Sequence, residues 1–441
     1  MEKTADKETL QELDYRTIFV GDDTGLLKKL KFSLRIDKNV ISAPSKRKIR
    51  NKRTLDQMLQ DGEEEKQQVD EEEDDEGKKI RKPKFIEDEG VIRDKADCNL
   101  KLLDKFGTQE KDEGIQHLCW SLGSGNNDYI SYVRGKSNVV EVFDTQTSNV
   151  FLQKSFKDQL GEIRGMGSLG DNIFDLRHIL IDTTGKLLIS KFSNNDSQTK
   201  SKAKKQSTST SDIELKVKSE QVQFMKQSPF DSNKIVIGSK DSLLQIWDIN
   251  QATQGSSGKA KGDSKKPIWQ AKNVANDELD LAIPMWDTDM CFLGTPNNMV
   301  ACTAYGEIRE YDSREGRRKA IVNTTFLPKG QDAIYLSKII SSLKKPEQHV
   351  FVANQEGHIC MLDRKMNYKM IKKLVGNKGS VRSIASMVST VDDQEYLMSA
   401  GCDRHIRVFN VNSSLQRETE LAHAYLKQKL NCVLLSNNQK L

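Results

Sequence analysis

Histidines, cysteines and acids are where chemistry would begin, and their spacing in this chain supports none. The six histidines, His117, His178, His349, His358, His405 and His423, form no HExxH pair and no Cys/His metal spacing. His358 and His405 directly follow turn residues, which suits the surface of a strand. The seven cysteines, Cys98, Cys119, Cys291, Cys302, Cys360, Cys402 and Cys432, include no CxxC pair. Several lie inside apolar, strand-like runs. That pattern marks buried thiols in a reducing compartment rather than disulfides or zinc ligands. There is no Walker loop and no GxSxG. The glycine-rich run Gly161-Glu162-Ile163-Arg164-Gly165-Met166-Gly167 lacks the lysine of a phosphate loop and reads as a plain loop. Aspartates recur at one repeat position, where capping of turn amides explains them better than acid/base work. The expectation is no catalytic residue, no metal, no cofactor and no small-molecule substrate.

The elements that would position any site repeat along the chain. A short apolar strand leads into a tight turn. A second strand then reads turn residue, any, apolar, two of any type, aromatic or Leu, and often Asp. Seven copies align on Gly25-Leu26-Leu27, Asn138-Val139-Val140, Gly185-Lys186-Leu187, Ser242-Leu243-Leu244, Gly306-Glu307-Ile308, Gly357-His358-Ile359 and Arg404-His405-Ile406. After the first gap of about 113 residues the copies recur every 47 to 64. Without the polar insertions the period approaches the roughly 40–50 residues of a four-stranded propeller blade. The fold class is therefore all-β, a seven-bladed propeller over about residues 15–437. Phe143, Trp247, Tyr311 and Phe409 share one repeat position, which marks them as packing between blades. The first hairpin, near Tyr15, has no strands before it. Leu430-Asn431-Cys432-Val433-Leu434-Leu435 is left over at the other end. Pairing the two closes the ring and removes exposed edges.

Three stretches interrupt this pattern, and each reads as a disordered charged insertion: residues 38–89, 193–211 and 251–266. The chain has 441 residues and a net charge of +5. The excess is uneven. Six of the eight residues Lys46–Arg53 are basic, eleven acids lie between Asp61 and Glu76, and five of seven residues are basic in Lys78–Lys84. The second and third stretches each carry +3. Lys46, Arg47, Lys48, Arg50, Lys52, Arg53, Lys78, Lys79, Arg81 and Lys82 are candidates for nuclear import or RNA contact. No apolar run approaches the roughly 20 residues of a membrane span, and no secretory signal stands at the N-terminus.

One stretch does not follow the repeat. It runs from Ala271-Lys272-Asn273-Val274 through Asp277 and Asp280 to Trp286-Asp287-Thr288-Asp289. A plain linker has no use for its tryptophan. Lys272, Asn273, Asp277, Asp280, Trp286, Asp287 and Asp289 are candidate partner-binding residues, with Arg317, Arg318 and Arg382 adding charge.

This stretch, with Trp247-Asp248 before it and Phe292-Leu293, Thr303, Tyr305, Arg309 and Tyr311-Asp312 after it, resembles one family. So do Gly379-Ser380-Val381-Arg382, Asp403-Arg404 and the ending Tyr425–Cys432. The family is that of WD repeat-containing protein seventy-four and its fungal relative, a nop-seven-associated protein. The resemblance implies a WD-repeat scaffold without catalysis, in the nucleus and nucleolus. It would serve assembly of the large (60S) ribosomal subunit and pre-rRNA processing. Its partners would be pre-60S particle proteins and pre-rRNA, with removal by an AAA-type ATPase. An alternative is a substrate receptor of a cullin-type ubiquitin ligase, since Tyr311-Asp312-Ser313-Arg314 resembles the WDxR box of such receptors.

Overall fold

The computed structural model describes residues 14–35, 97–122, 128–192, 212–219, 221–240, 242–254, 266–276, 278–325, 335–390, 392–412 and 417–436. The insertion at 38–89, that at 193–211 and the greater part of 251–266 lie outside these residues. So do Asp277 and all ten candidate import residues from Lys46 to Lys82. Gln251–Gln254 are described, and they finish a short helix, Ile249–Gln254. The first four residues of the stretch expected to be disordered are thus helical. The helix forms because Asp248 Oδ1 accepts the amides of Asn250 and Gln251, while Ile249 and Ala252 bury one face.

The described strands form seven sheets of four antiparallel strands each, one of them with a fifth strand added in parallel. From the axis outward, blade 1 is Leu430–Leu435, Asp14–Asp22, Leu27–Arg35 and Asp97–Phe106. The inner strands of blades 2 to 7 are Ile115–Trp120, Ile163–Leu169, Val222–Gln227, Asp287–Phe292, Leu336–Ser341 and Val381–Val388. Each inner strand lies beside that of the next blade, and the last closes on the first. The ring is a seven-bladed propeller, as the repeat implied. Its closure is the expected one, with Phe19 opposite Leu434 and Val20 opposite Val433. The 38–89 insertion falls between the third and fourth strands of blade 1.

The repeat exists because each position does one job. Phe143, Trp247, Tyr311 and Phe409 are all buried between sheets. The aspartates that end the third strands cap turns. Asp144 accepts the amides of Gln146 and Thr147, Asp312 that of Arg314 and Asp363 that of Lys365. Every inner strand also skips one residue in its pairing, a β-bulge near its start. Four of the freed side chains reach the next blade. Thr288 Oγ1 donates to Leu336 O at 2.6 Å, and Ser337 Oγ to Val381 O at 2.9 Å. Arg382 donates to the Asn431 side chain, and Asn431 Nδ2 to Ile115 O at 3.1 Å.

Two sequence expectations need correction. Residues 163–167 of the glycine-rich run lie in the inner strand of blade 3, Ile163–Leu169, and not in a loop. Its glycine reflects close approach, since a Cβ on Gly165 would lie 2.4 Å from Met225 Cβ of blade 4. Of the cysteines, Cys291, Cys302, Cys360 and Cys432 are buried thiols, but Cys98, Cys119 and Cys402 are only half-buried.

A buried ion pair sits where the chain ends meet. Lys28 Nζ lies 2.7 Å from Asp22 Oδ2, both side chains sealed from solvent. The same ammonium donates to Leu426 O at 2.8 Å. Asp22 Oδ1 also accepts the amides of Thr24 and Leu26. Asp22→Asn strands a buried ammonium and should cost roughly 3–5 kcal/mol, whereas the double variant Asp22→Asn/Lys28→Met should recover most of it. Urea unfolding of the three proteins checks this; equal losses in single and double variants would contradict it.

Candidate docking surface at one end of the ring

Antiparallel order places the entry to each inner strand and the turn between the second and third strands at the same end of a blade. The non-repeating stretch crosses this end as an arch from blade 4 to blade 5. Its first foot is held by Ala271 N donating to Leu244 O at 2.9 Å and Lys272 N to Arg318 O at 2.7 Å. Asn273 Nδ2 spans the base of the arch to Ile283 O at 2.8 Å. Asn276 Nδ2 donates to Asp280 Oδ1 at 2.8 Å near the crest. The second foot is fixed by Ala304 N donating to Trp286 O at 2.9 Å.

The crest carries Leu279 and Leu281 at 78% and 59% exposure, flanked by exposed Glu278 and Asp280. Two leucines this exposed on an anchored acidic loop form an apolar patch of the kind that suits capture by a partner. Trp286 is half-buried, wedged edge-on between Tyr305 and Tyr335 with centroids 6.2 and 5.7 Å away.

The candidate residues separate into groups. Lys272, Asn273, Asp280 and Trp286 belong to the arch. Asp287 and Asp289 are fully buried, so neither can touch a partner. Their expectation as contact residues is corrected: Asp289 Oδ1 pairs with Lys226 Nζ at 2.8 Å and Oδ2 accepts the Ile339 amide, tying blades 4, 5 and 6. Arg317 and Arg318 sit on the outer edge of blade 4. Trp269 Nε1 donates to Arg317 O at 2.7 Å, and Arg318 Nε to Gln270 O at 2.6 Å. Arg382 is on the inner strand of blade 7, bound to Asn431. Sequence reasoning did not single out Lys240 or Tyr335, which come from neighbouring blades and carry no periodic signal. Among the described residues no group of three or more His, Cys, Asp or Glu could hold a metal ion.

Beneath the arch lies a buried polar layer. Arg309 is fully buried, with Nε donating to Glu307 Oε2 at 3.1 Å and Nη1 reaching Asn273 Oδ1 at 3.5 Å. Asp287 and Tyr311 are buried in this layer as well. Burial pushes the Asp287 carboxyl up to about 7, against the pull of Arg309. The unfolded chain ionises this group near its ordinary value of 3.8. Stability from the proton is therefore complete below about pH 4 and is lost as pH rises through about 7. Asp287→Asn should raise the melting temperature by a few degrees at pH 7.5 and flatten its fall between pH 4 and 7. Calorimetry across that range checks it; an unchanged pH profile would contradict it.

No family model matches the chain. It is 28% identical to WD repeat-containing protein 74 of Bos taurus over 331 residues, 75% of this chain and 74% of that protein. The Homo sapiens protein of the same name is 28% identical over 330 residues, with the same shares. Ribosome biogenesis protein NSA1 of Saccharomyces cerevisiae (strain ATCC 204508 / S288c) is 25% identical over 242 residues, 49% of this chain and 48% of that protein. The homologues of this propeller are thus WD repeat-containing protein 74 and the fungal ribosome biogenesis protein NSA1.

Proposed function

We propose that this chain is a non-catalytic WD-repeat scaffold in assembly of the large ribosomal subunit, docking on precursor particles and serving pre-rRNA processing. The observation that carries this is homology to a protein named for ribosome biogenesis, joined to an anchored arch with leucines open to solvent. The chemistry is docking. A closed ring holds its loops rigid, so little ordering entropy opposes binding. On this proposal the site is nuclear and nucleolar, the partners are particle proteins and pre-rRNA, and release falls to an AAA-type ATPase. The basic residues between Lys46 and Lys82 would serve import or RNA contact. Deletion of both clusters should lower nuclear accumulation; unchanged accumulation would count against that role.

The ligase-receptor alternative gains nothing from these relatives. The Arg314 side chain of its candidate box folds back on Asp312, with Nη2 at 2.6 Å from Oδ2.

Tagged protein from nuclear extract should co-sediment with large-subunit precursors on a sucrose gradient, and less of it should do so as salt rises. Protein that stays at the top of the gradient, or a pull-down that recovers a cullin adaptor, overturns the proposal. The double variant Leu279→Asp/Leu281→Asp should leave the melting temperature within about 1 °C, since surface changes rarely alter stability. Its share in the particle fraction should fall roughly tenfold, the scale of one lost hot spot. Retention at the wild-type level would remove the arch from the docking surface.

A further inference from the structure

The end of the ring that carries the arch also presents aromatic and cationic groups that the arch does not explain. Lys240, Tyr305, Trp286 and Tyr335 come from four connections of blades 4, 5 and 6 at this end. Lys240 Nζ stands 4.5 Å from the centre of the Trp286 ring. Tyr305 is 37% exposed, and Trp286 and Tyr335 are half-buried. Aromatic rings that serve only as core do not stay open in this way.

Inner strands begin at the same end, and three of them carry a cation near their start. Arg164 is the second residue of its strand in blade 3, Lys338 the third in blade 6 and Arg382 the second in blade 7. Blades 3 and 6 stand across the ring from one another. Even so, Arg164 and Lys338 both act on His117 of blade 2, whose ring is pushed down to about 4 by burial first and by these two charges after it. Arg164 also acts on Tyr335 at the entry to blade 6. Both cations stand near the starts of inner strands, at the end of the ring that carries the aromatic group.

The nearby acids cancel only part of this charge. Asp289 is taken by Lys226 and the Ile339 amide, and Asp287 is sealed under the arch. Glu162 pairs with Arg164 at 3.0 Å at an open rim, with side chains 50% and 39% exposed. Lys338 has no carboxylate partner among the described residues. Cations beside open aromatic faces are the means by which proteins hold unpaired nucleotides, with phosphates on the charges and bases on the rings. A duplex keeps its bases stacked on one another and offers Tyr305 no face. An acidic peptide would satisfy the cations and leave the aromatic rings without a flat partner.

We propose that the channel mouth binds single-stranded RNA, with Arg164 and Lys338 on successive phosphates and a base stacked on Tyr305. This rests on the proposed docking to RNA-containing particles and adds a direct RNA contact to it.

The test is fluorescence polarisation of a labelled ten-nucleotide uridine strand with the full chain. Arg164→Gln/Lys338→Gln should weaken binding by roughly tenfold or more and reduce the slope of log K against log salt by about 1.4, from ~0.7 per phosphate contact. Tyr305→Ala should weaken binding roughly five- to tenfold without moving the slope. Lys338→Arg should keep wild-type binding, and the melting temperature of each variant reports its fold. Deletion of residues 193–211 should leave the effects of these variants in place. An unchanged slope in the charge variant, unchanged affinity in Tyr305→Ala, or loss of binding only on that deletion overturns the proposal. So does an acidic peptide that competes while Tyr305→Ala has no effect. A mouth variant that loses uridine binding but still co-sediments supports this inference and leaves the docking proposal intact. RNA binding without co-sedimentation separates the two the other way.

Discussion

One strand pairing holds up everything else in this protein. Leu430–Leu435 lies against Asp14–Asp22 in blade 1, and on its other side it is tied to blades 2 and 7. Trp120 Nε1 donates to Leu435 O at 3.0 Å, and Val433 N to Ser383 Oγ at 3.1 Å. Take this strand away and blade 1 loses its inner edge, while the sealed Asp22–Lys28 pair loses the cover above it. The channel mouth then loses its fixed circumference, because blades 2 and 7 have no common neighbour. Tight packing enforces the register. A Cβ on Gly21 would fall 2.6 Å from Ile115 Cγ2 and 2.7 Å from Cys432 Sγ, so only glycine lets three strands meet there.

The bulge near the start of each inner strand turns seven separate sheets into one object. It frees a side chain from its own blade and aims it at the next. The Thr288, Ser337, Arg382 and Asn431 bonds run in one direction around the axis, from blade 5 to blade 2 through the closing blade. Outer edges are linked as well. Arg417–Thr419 adds a parallel strand to blade 6, and Lys272 bridges Lys319 beside blade 4. Rigidity of this kind lets the arch and the aromatic group keep their geometry without a partner.

The fold was legible because a propeller repeats its physics. Most copies carry a turn residue, a buried aromatic or Leu and a capping aspartate, and these recur at fixed offsets from Asn138 to Asn410. The terminal strand was legible by exclusion, as an apolar run left without a blade. Two things could not be read. The strand Ile163–Leu169 hides in glycines because Met225 approaches from outside its own blade, and the sequence does not display neighbours across a sheet interface. The roles of Asp287 and Asp289 were hidden for the same reason. Two acids in a polar loop resemble a docking surface until burial puts them under it. The arch itself was visible, since Trp286 breaks the repeat. Its companions Lys240 and Tyr335 are brought to it only by the ring.

The order in which a ribosome releases the chain gives the closing strand a second consequence. The segment Asp14–Asp22 leaves the ribosome more than four hundred residues ahead of its partner. In that interval its open side offers bare amides and carbonyls to any passing strand, a hazard that cells meet with chaperones. A chain that stops before Leu430 yields six complete blades and one gap. Such a fragment carries an unsealed seam, so synthesis through Leu435 becomes a condition for the ring to close.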